Sequence, residues 1–260
     1  MNPILMTQCR IKNSRFPGKM LKKVHGKTLL QLHVERLAPL LEVQPETDHP
    51  LANDLIVLIP DTPIEDPVEA ECRRLNIKCF RGNEDDVLDR YYQCAKKYNA
   101  DPIIRLTSDD PFVDWKVVAR AINKFNRFQC DYVSNAWPGK ETYPEGLDVQ
   151  IIAFKMLETM WKEAKDSAER EHVVPYMWKH PYDFHIKHER NRRDYSHYRW
   201  TVDYASDLAM VSDVYGHFGD KPFLMEELVN FWFEHPEKAR TRANVDRKQG
   251  IKRSMGDADA

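Results

Sequence analysis

Along the first half of this chain the spacing of apolar residues switches between the period of a strand and the period of a helix. ILMTQC (4–9) reads as a strand, and TLLQLHVERLAPLL (28–41) as a helix with apolar residues at 30, 34, 37 and 41. VQPETDHPLAND (43–54), with two prolines and three acids, reads as a loop before the buried strand LIVLI (55–59). A helix over 65–75 and a strand at IKCF (77–80) come next. EDDVLDRYYQCAKKY (84–98) has apolar residues at 87, 88, 91, 92, 95 and 98, and acids in its first turn that complement the helix dipole. PIIRLT (102–107) is a strand, and Asp114 is placed to N-cap a helix with apolar spacing 115, 118, 119, 122, 125.

Strands separated by helices of this length predict right-handed crossovers and a mostly parallel sheet covered on both faces. Functional residues are then expected at the carboxyl edge of that sheet. DYVSN (131–135), LDVQIIAF (147–154), FHIKH (184–188) and RWTVD (199–203) read as further strands with longer segments between them, which predicts a mixed α/β sheet with an inserted, substrate-facing lobe. We expect one domain over 1–235. The stretch 236–253 holds seven basic and two acidic side chains and hardly any large apolar one, so 236–260 reads as a charged tail.

Composition narrows the classes. With 42 % hydrophobic and 31 % charged residues, the 260-residue chain describes an ordinary globular protein. A net charge of −2 argues against a molecule built for nucleic acid, so any anion site must come from local clustering. The longest aliphatic run, at 55–59, is far too short to span a bilayer, and Arg10 and Lys12 arrive before a secretory leader could form its apolar core. Five scattered cysteines without a CxxC pair fit a reduced, cytoplasmic setting.

One such cluster stands directly after the first strand. CRIKNSRFPGK (9–19) carries Arg10, Lys12, Arg15 and Lys19 and no acid, and its Pro17-Gly18 pair restricts and then frees the backbone beside Lys19. A strand-to-helix loop of this charge can cradle a triphosphate, and from charge alone a solvated basic turn is an equal reading. GKT (26–28) resembles the end of a P-loop, but the glycine that motif requires falls on Leu21; no GxGxxG occurs either. TSDDP (107–111) follows the strand PIIRL, and Asp203 ends the strand RWTV. Single carboxylates from distant strand ends, Asp109 and Asp203, suit magnesium bound with phosphate oxygens and water. Taken singly, Asp109 and Asp110 read more simply as a turn before Pro111, and Asp203 as a helix N-cap.

Together these segments resemble the cytidylyltransferases of the CMP-Kdo and CMP-sialate synthetase superfamily, most closely the spore-coat-polysaccharide (SpsF-like) branch, in order over residues 4–215. The likeness is carried by TQCRIKNSRFPGK, GKTLL, CFRGNEDDVLDRYYQCA (79–95), IRLTSDDPFVD (104–114), YPEGLDVQ (143–150), EREHVVPYM (169–177) and TVDYASDL (201–208). It implies a Rossmann-like, three-layer nucleotide-diphospho-sugar transferase fold of the GT-A-like kind. The implied activity is transfer of CMP from CTP to a sugar or sugar-like acceptor, with release of pyrophosphate, in surface polysaccharide or glycoconjugate biosynthesis. Arg10, Lys12, Asn13, Ser14, Arg15 and Lys19 would bind the nucleotide, with Arg81 and Asp86 bordering its base and ribose. Asp109 and Asp203 would hold Mg2+, and with Arg15 and Lys19 would form the catalytic set. Glu145, Gly146, Arg170, Glu171 and His172 would face the acceptor, His172 serving as base if a hydroxyl attacks. A cytoplasmic homodimer is also implied, with 136–180 as its dimerisation and acceptor lobe.

This sequence departs from the family pattern at Lys12, where a glycine is usual, and at Asn13, where a serine is. Glu145 stands where a basic residue is frequent and Gln150 where an acid is, so the acceptor is left open. Two other readings stay in view: a metal-dependent glycosyltransferase using Ser108-Asp109-Asp110 on a nucleotide-sugar donor, and a non-catalytic nucleotide-binding protein.

Overall fold

Strand β1 (Ile4–Gln8) is buried on both faces, with Leu5 packing to one side and Ile4 and Met6 to the other. This is what a central strand covered by helices requires. The computed structural model describes residues 1–45 and 48–238, so the expected tail lies outside the described residues from position 239 on.

After β1 the chain forms a long loop, then the short hairpin β2 (Lys23–Val24) and β3 (Lys27–Thr28), and helix α1 (Leu29–Leu37). The GKT that imitates a P-loop is the start of this helix: Thr28 is its N-cap, accepting a bond from Gln31 N at 3.0 Å. The helix expected over 28–41 stops at Leu37 and tightens into a 3₁₀ turn at Ala38–Leu41, where Pro39 has no N–H to continue the ladder. Strand β4 (Asp54–Pro60), helix α2 (Asp66–Arg74), strand β5 (Lys78–Gly82), helix α3 (Val87–Tyr98), strand β6 (Ile103–Thr107) and helix α4 (Trp115–Phe128) then alternate as expected. Asp114 caps α4, accepting from Lys116 N at 2.7 Å.

The second half is more helical than its apolar spacing suggests. Strand β7 (Tyr132–Ser134) and strand β8 (Gln150–Ile152) are short, and the run expected as strand to 154 turns at Ala153 into helix α5 (Phe154–Glu163). Helices α6 (Ser167–His172) and α7 (Pro175–Lys179), strand β9 (Ile186–His188), and helices α8 (Asp207–Phe218) and α9 (Met225–Glu234) complete the described chain. Within the segment 136–180, expected as a lobe, β8 is therefore an interior strand of the sheet.

RWTVD (199–203), expected as a strand, does not join the sheet. Its pairing is a single bridge between Arg199 and Glu145. Its backbone is spent on neighbouring loops instead: Trp200 N donates to Glu145 O at 2.7 Å and Val202 N to Asp109 O at 2.9 Å.

Among the described residues the main sheet has the order β5-β4-β1-β6-β8-β7-β9, parallel throughout except for β8, which runs against both its neighbours. One face packs on α1, α2, α4, α8 and α9 through residues such as Leu5, Val57, Leu106, Leu30, Ile122 and Trp232. The other packs on α3, α5 and α7 through Met6, Leu58, Ile103, Leu88, Leu157 and Met177. This is the three-layer α/β arrangement expected from the sequence. Among the described residues no helix is long and apolar enough to cross a membrane.

Candidate active site

The loops leaving β1 and β6 start side by side, because these strands pair in parallel with Gln8 opposite Thr107. That places residues 9–22 and 108–114 together at the carboxyl edge of the sheet. The basic loop is held by its own chemistry. Gly18 N donates to Ile11 O at 2.9 Å and closes the neck. Asn13 Oδ1 accepts from Arg15 N and Phe16 N at 3.0 and 2.9 Å, and Phe16 plugs into the core. Gly18, at φ +65°, supplies the left-handed turn that swings the chain into the 3₁₀ turn bearing Lys19.

Lys19 is only 5 % exposed, and its ammonium is the hub of the site. Nζ donates to Asp109 Oδ2 at 2.8 Å and to Val202 O at 2.6 Å, and lies 3.7 Å from Asp203 Oδ1. Burial alone would lower the Lys19 pKa; Asp109 first, then Asp203, outweigh it and hold the group above its ordinary value. Burial would likewise raise Asp109, but the Lys19 ammonium brings it below the usual carboxylate range. Asp203 also meets Arg15, whose Nη2 is 2.5 Å from Oδ1, and Arg199, whose Nη2 is 2.7 Å from Oδ2. Arg199 is tied in turn to the buried Asp207, whose carboxylate accepts the N–H groups of Asp203 and Tyr204 at 2.8 and 2.9 Å. Thus Arg15, Lys19, Asp109 and Asp203 come from three distant segments to one place.

The neighbouring acid behaves differently. Asp110 turns inward, 2 % exposed, and accepts from Thr107 Oγ1 at 2.6 Å; burial first, and then the charge of Asp109, push its pKa well up. His33, fully buried on α1, braces this loop. Its Nδ1 lies 3.0 Å from Asp110 O and its Nε2 3.1 Å from Thr7 Oγ1. A carbonyl can only accept, so the proton sits on Nδ1 and Thr7 donates to Nε2.

The remaining expected residues fall into two groups. Arg10 lies 3.8 Å from Glu171 on α6 and Lys12 3.2 Å from Glu84 just before α3; Ser14 is exposed at the loop tip. His172 sits beside Glu171 on α6; burial, opposed by Glu171 and helped by Arg105 and Arg10, lowers its pKa and keeps the ring neutral. Gly146 crosses Trp200 so closely that a Cβ would meet the Trp200 carbonyl carbon at 2.9 Å, and its φ is +103°. Glu145, next to it, bridges to Arg199 through the backbone. Away from this cluster, Arg81 is engaged with Glu69, Asp66 and Thr62 O at 2.7, 2.7 and 3.0 Å. Arg170 grips Asp86, which itself caps α3, so these two clamp α6 to α3.

Sequence reasoning passed over Arg199, His33 and Arg105. Arg105 lies inside β6, 9 % exposed, where its Nη1 donates to Gln150 Oε1 at 2.7 Å and its Nη2 to Gln8 Oε1 at 3.2 Å. Its Nε is buried with no hydrogen-bond partner, and so is the hydroxyl of Tyr132, fully buried on β7. A cation in the middle of the apolar run IIRLT was the signal available. Asp109 and Asp203 both meet at the Lys19 ammonium, and single carboxylates of this kind suit a hard divalent cation whose other ligands are phosphate oxygens and water. Among the described residues, no group of three or more His, Cys, Asp and Glu is placed to hold a metal without such help.

Comparison with known proteins bears on this geometry. The cytidylyltransferase family model matches residues 4–214. The chain is 29 % identical over 251 residues to the spore coat polysaccharide biosynthesis protein SpsF of Bacillus subtilis, covering 93 % of this chain and 99 % of that one. It is 27 % identical over 252 residues to the uncharacterized protein MJ1063 of Methanocaldococcus jannaschii, covering 95 % and 97 %. Among solved structures, a cytidylyltransferase from Leptospira borgpetersenii serovar Hardjo-bovis superposes with a TM-score of 0.83 at 26 % identity, covering 95 % of this chain and all of that one.

Proposed function

The chain belongs to the cytidylyltransferase family, and from that premise we propose that it transfers CMP from CTP to a sugar-like acceptor bearing an anionic group, in the biosynthesis of surface polysaccharide or another glycoconjugate. An acceptor oxygen attacks the α-phosphorus, the bond to the bridging oxygen of the β-phosphate breaks, and pyrophosphate leaves with that electron pair. No covalent enzyme intermediate is needed, because alignment and charge neutralisation supply the acceleration.

The observation that carries this reading is the convergence of Asp109 and Asp203 on the buried ammonium of Lys19, with Arg15 at its rim. Lys19 and Arg15 neutralise the triphosphate, Lys19 as a point charge and Arg15 as a planar fork. Asp109 and Asp203 would hold a magnesium ion, which when bound neutralises phosphate charge and orients the oxygens for in-line displacement. Arg105, buried beside two neutral carboxamides, fits an acceptor carboxylate or phosphate. His172, held neutral, can take the proton of an attacking hydroxyl. Within the same reading the protein works as a cytoplasmic homodimer.

A glycosyltransferase that used Asp109 and Asp110 as a metal-binding pair finds less support, because Asp110 is turned inward onto Thr107. The test is a pyrophosphate-release assay with each of the four nucleoside triphosphates, magnesium and a panel of acidic sugars and sugar phosphates. Release is expected with CTP and at least one acceptor, and is abolished by chelation and restored by magnesium. Absence of release with every pair, or consumption of a nucleotide sugar instead, overturns the reading.

A further inference from the structure

Helix α2 begins with a carboxylate that does not serve it. Glu65 occupies the N-cap position, where an acidic side chain ordinarily accepts the first free amides of its own helix, yet it makes no such bond. It is fully buried. Instead it reaches 54 residues back along the chain to the basic loop, where both its oxygens accept from Ile11 N at 2.9 and 3.0 Å. The Lys12 amide also favours the charged form of this carboxylate. Arg90 and Arg81 act on it through their longer-range field.

The consequence concerns which parts of the loop are open to an anion. Consecutive backbone amides pointing one way make a concave site for negative charge. In this loop the Ile11 amide is filled from within the protein by Glu65. The amides of Arg15 and Phe16 are filled by Asn13, and that of Gly18 by Ile11 O. With its neck and turn fixed in this way, the loop presents Arg15 to Asp203 and Lys19 to Asp109.

We propose that Glu65 is a positioning residue of the phosphate loop: its buried carboxylate takes up the Ile11 amide with both oxygens and so sets the loop in the form that aims Arg15 and Lys19 at a nucleoside triphosphate. The inference rests on the nucleotide-binding part of the reading above. It assigns triphosphate recognition to side chains and to the tip of the loop, and excludes the Ile11 amide from that task.

The test combines amide hydrogen exchange with kinetics on the full chain, comparing Glu65→Ala and Glu65→Gln with the wild type. The glutamine carbonyl can still accept from the Ile11 amide, so that variant is expected to stay close to wild type in both measurements. Glu65→Ala is expected to speed exchange at Ile11 and to raise KM for CTP by about tenfold or more, with KM for the acceptor unchanged. A role in folding alone would lower Tm and the active fraction and leave KM for CTP where it was. Should the alanine variant not fold, Glu65→Asp, one methylene too short to reach the loop, carries the same expectation. Unchanged exchange, or an unchanged KM for CTP in the folded variant, overturns the proposal. If the wild type turns over no CTP, the reading above fails separately, and inorganic tripolyphosphate binding by calorimetry decides for Glu65: weakened binding in the alanine variant upholds the role, and unaltered binding removes it.

Discussion

Lys19 Nζ lies 2.8 Å from Asp109 Oδ2 although 90 residues separate the two in the chain. The pair is almost closed to solvent on the lysine side, and the ammonium is shared with Asp203. Replacing Lys19 by Met keeps the bulk of the stem but leaves two carboxylates facing one another. The expected cost is about 10²–10³ in kcat for a lost charged partner of the transition state. Asp109→Asn and Asp203→Asn are expected to fall in the same range. Pyrophosphate release at saturating CTP reads the effect, and wild-type turnover in any of the three would remove that residue from the site.

Arg105 gives a prediction that separates acceptor from nucleotide. Arg105→Met fills the same space without the charge that Gln8 and Gln150 leave uncompensated. KM for the acceptor should rise by about tenfold or more while KM for CTP stays within about twofold, since a lost ground-state contact to one substrate shows in that substrate's KM. Equal effects on both substrates would show that the change is transmitted through the sheet.

His33 sets an acid limit on stability. Burial, opposed by the bond to Asp110 O and the charge of Asp109 and reinforced by Arg36, lowers its pKa from 6.5 to about 4. Between these values the unfolded chain binds a proton that the folded chain refuses, so stability rises with pH. The contribution is complete above about pH 6.5 and is lost as pH falls toward 4, a change on the order of 3 kcal/mol. His33→Gln can keep both bonds, accepting from Thr7 and donating to Asp110 O. Urea unfolding from pH 7 to pH 4 should show a shallower acid limb in that variant; an identical limb would place the titration elsewhere.

Gly146 tests the wall behind the site. Gly146→Ala must both hold a positive φ and push the Trp200 carbonyl carbon away from a 2.9 Å approach. The expected loss is about 2–3 kcal/mol of stability, with a fall in kcat because Asp203 follows Trp200 on the same segment. Thermal unfolding and turnover measured together check it, and a stable, fully active variant would show that this segment shifts freely.

Much of the frame was legible in advance. The alternation from β1 to α4 is written in local apolar spacing, and Asp114 announced its helix through ordinary capping chemistry. The short strands β7, β8 and β9 were found with frayed limits, since three-residue strands leave little periodic signal. The segment 199–203 misled: an extended, apolar-polar run looks the same whether its backbone pairs with a strand or with two loops.

The sequence by itself determined the α/β frame and the concentration of positive charge in residues 10–19, because helix periodicity, capping and loop charge are properties of neighbouring residues. Only the tertiary structure decided which carboxylate each of those cations meets: Glu171 for Arg10, Glu84 for Lys12, Asp203 for Arg15 and Asp109 for Lys19. It alone decided that Arg81 and Asp86 turn to partners of their own, and that Glu65 and His33 brace the two loops of the site. Such pairings depend on how strands order themselves in the sheet, and that order is set by the packing of both apolar faces at once, which no local stretch of residues encodes.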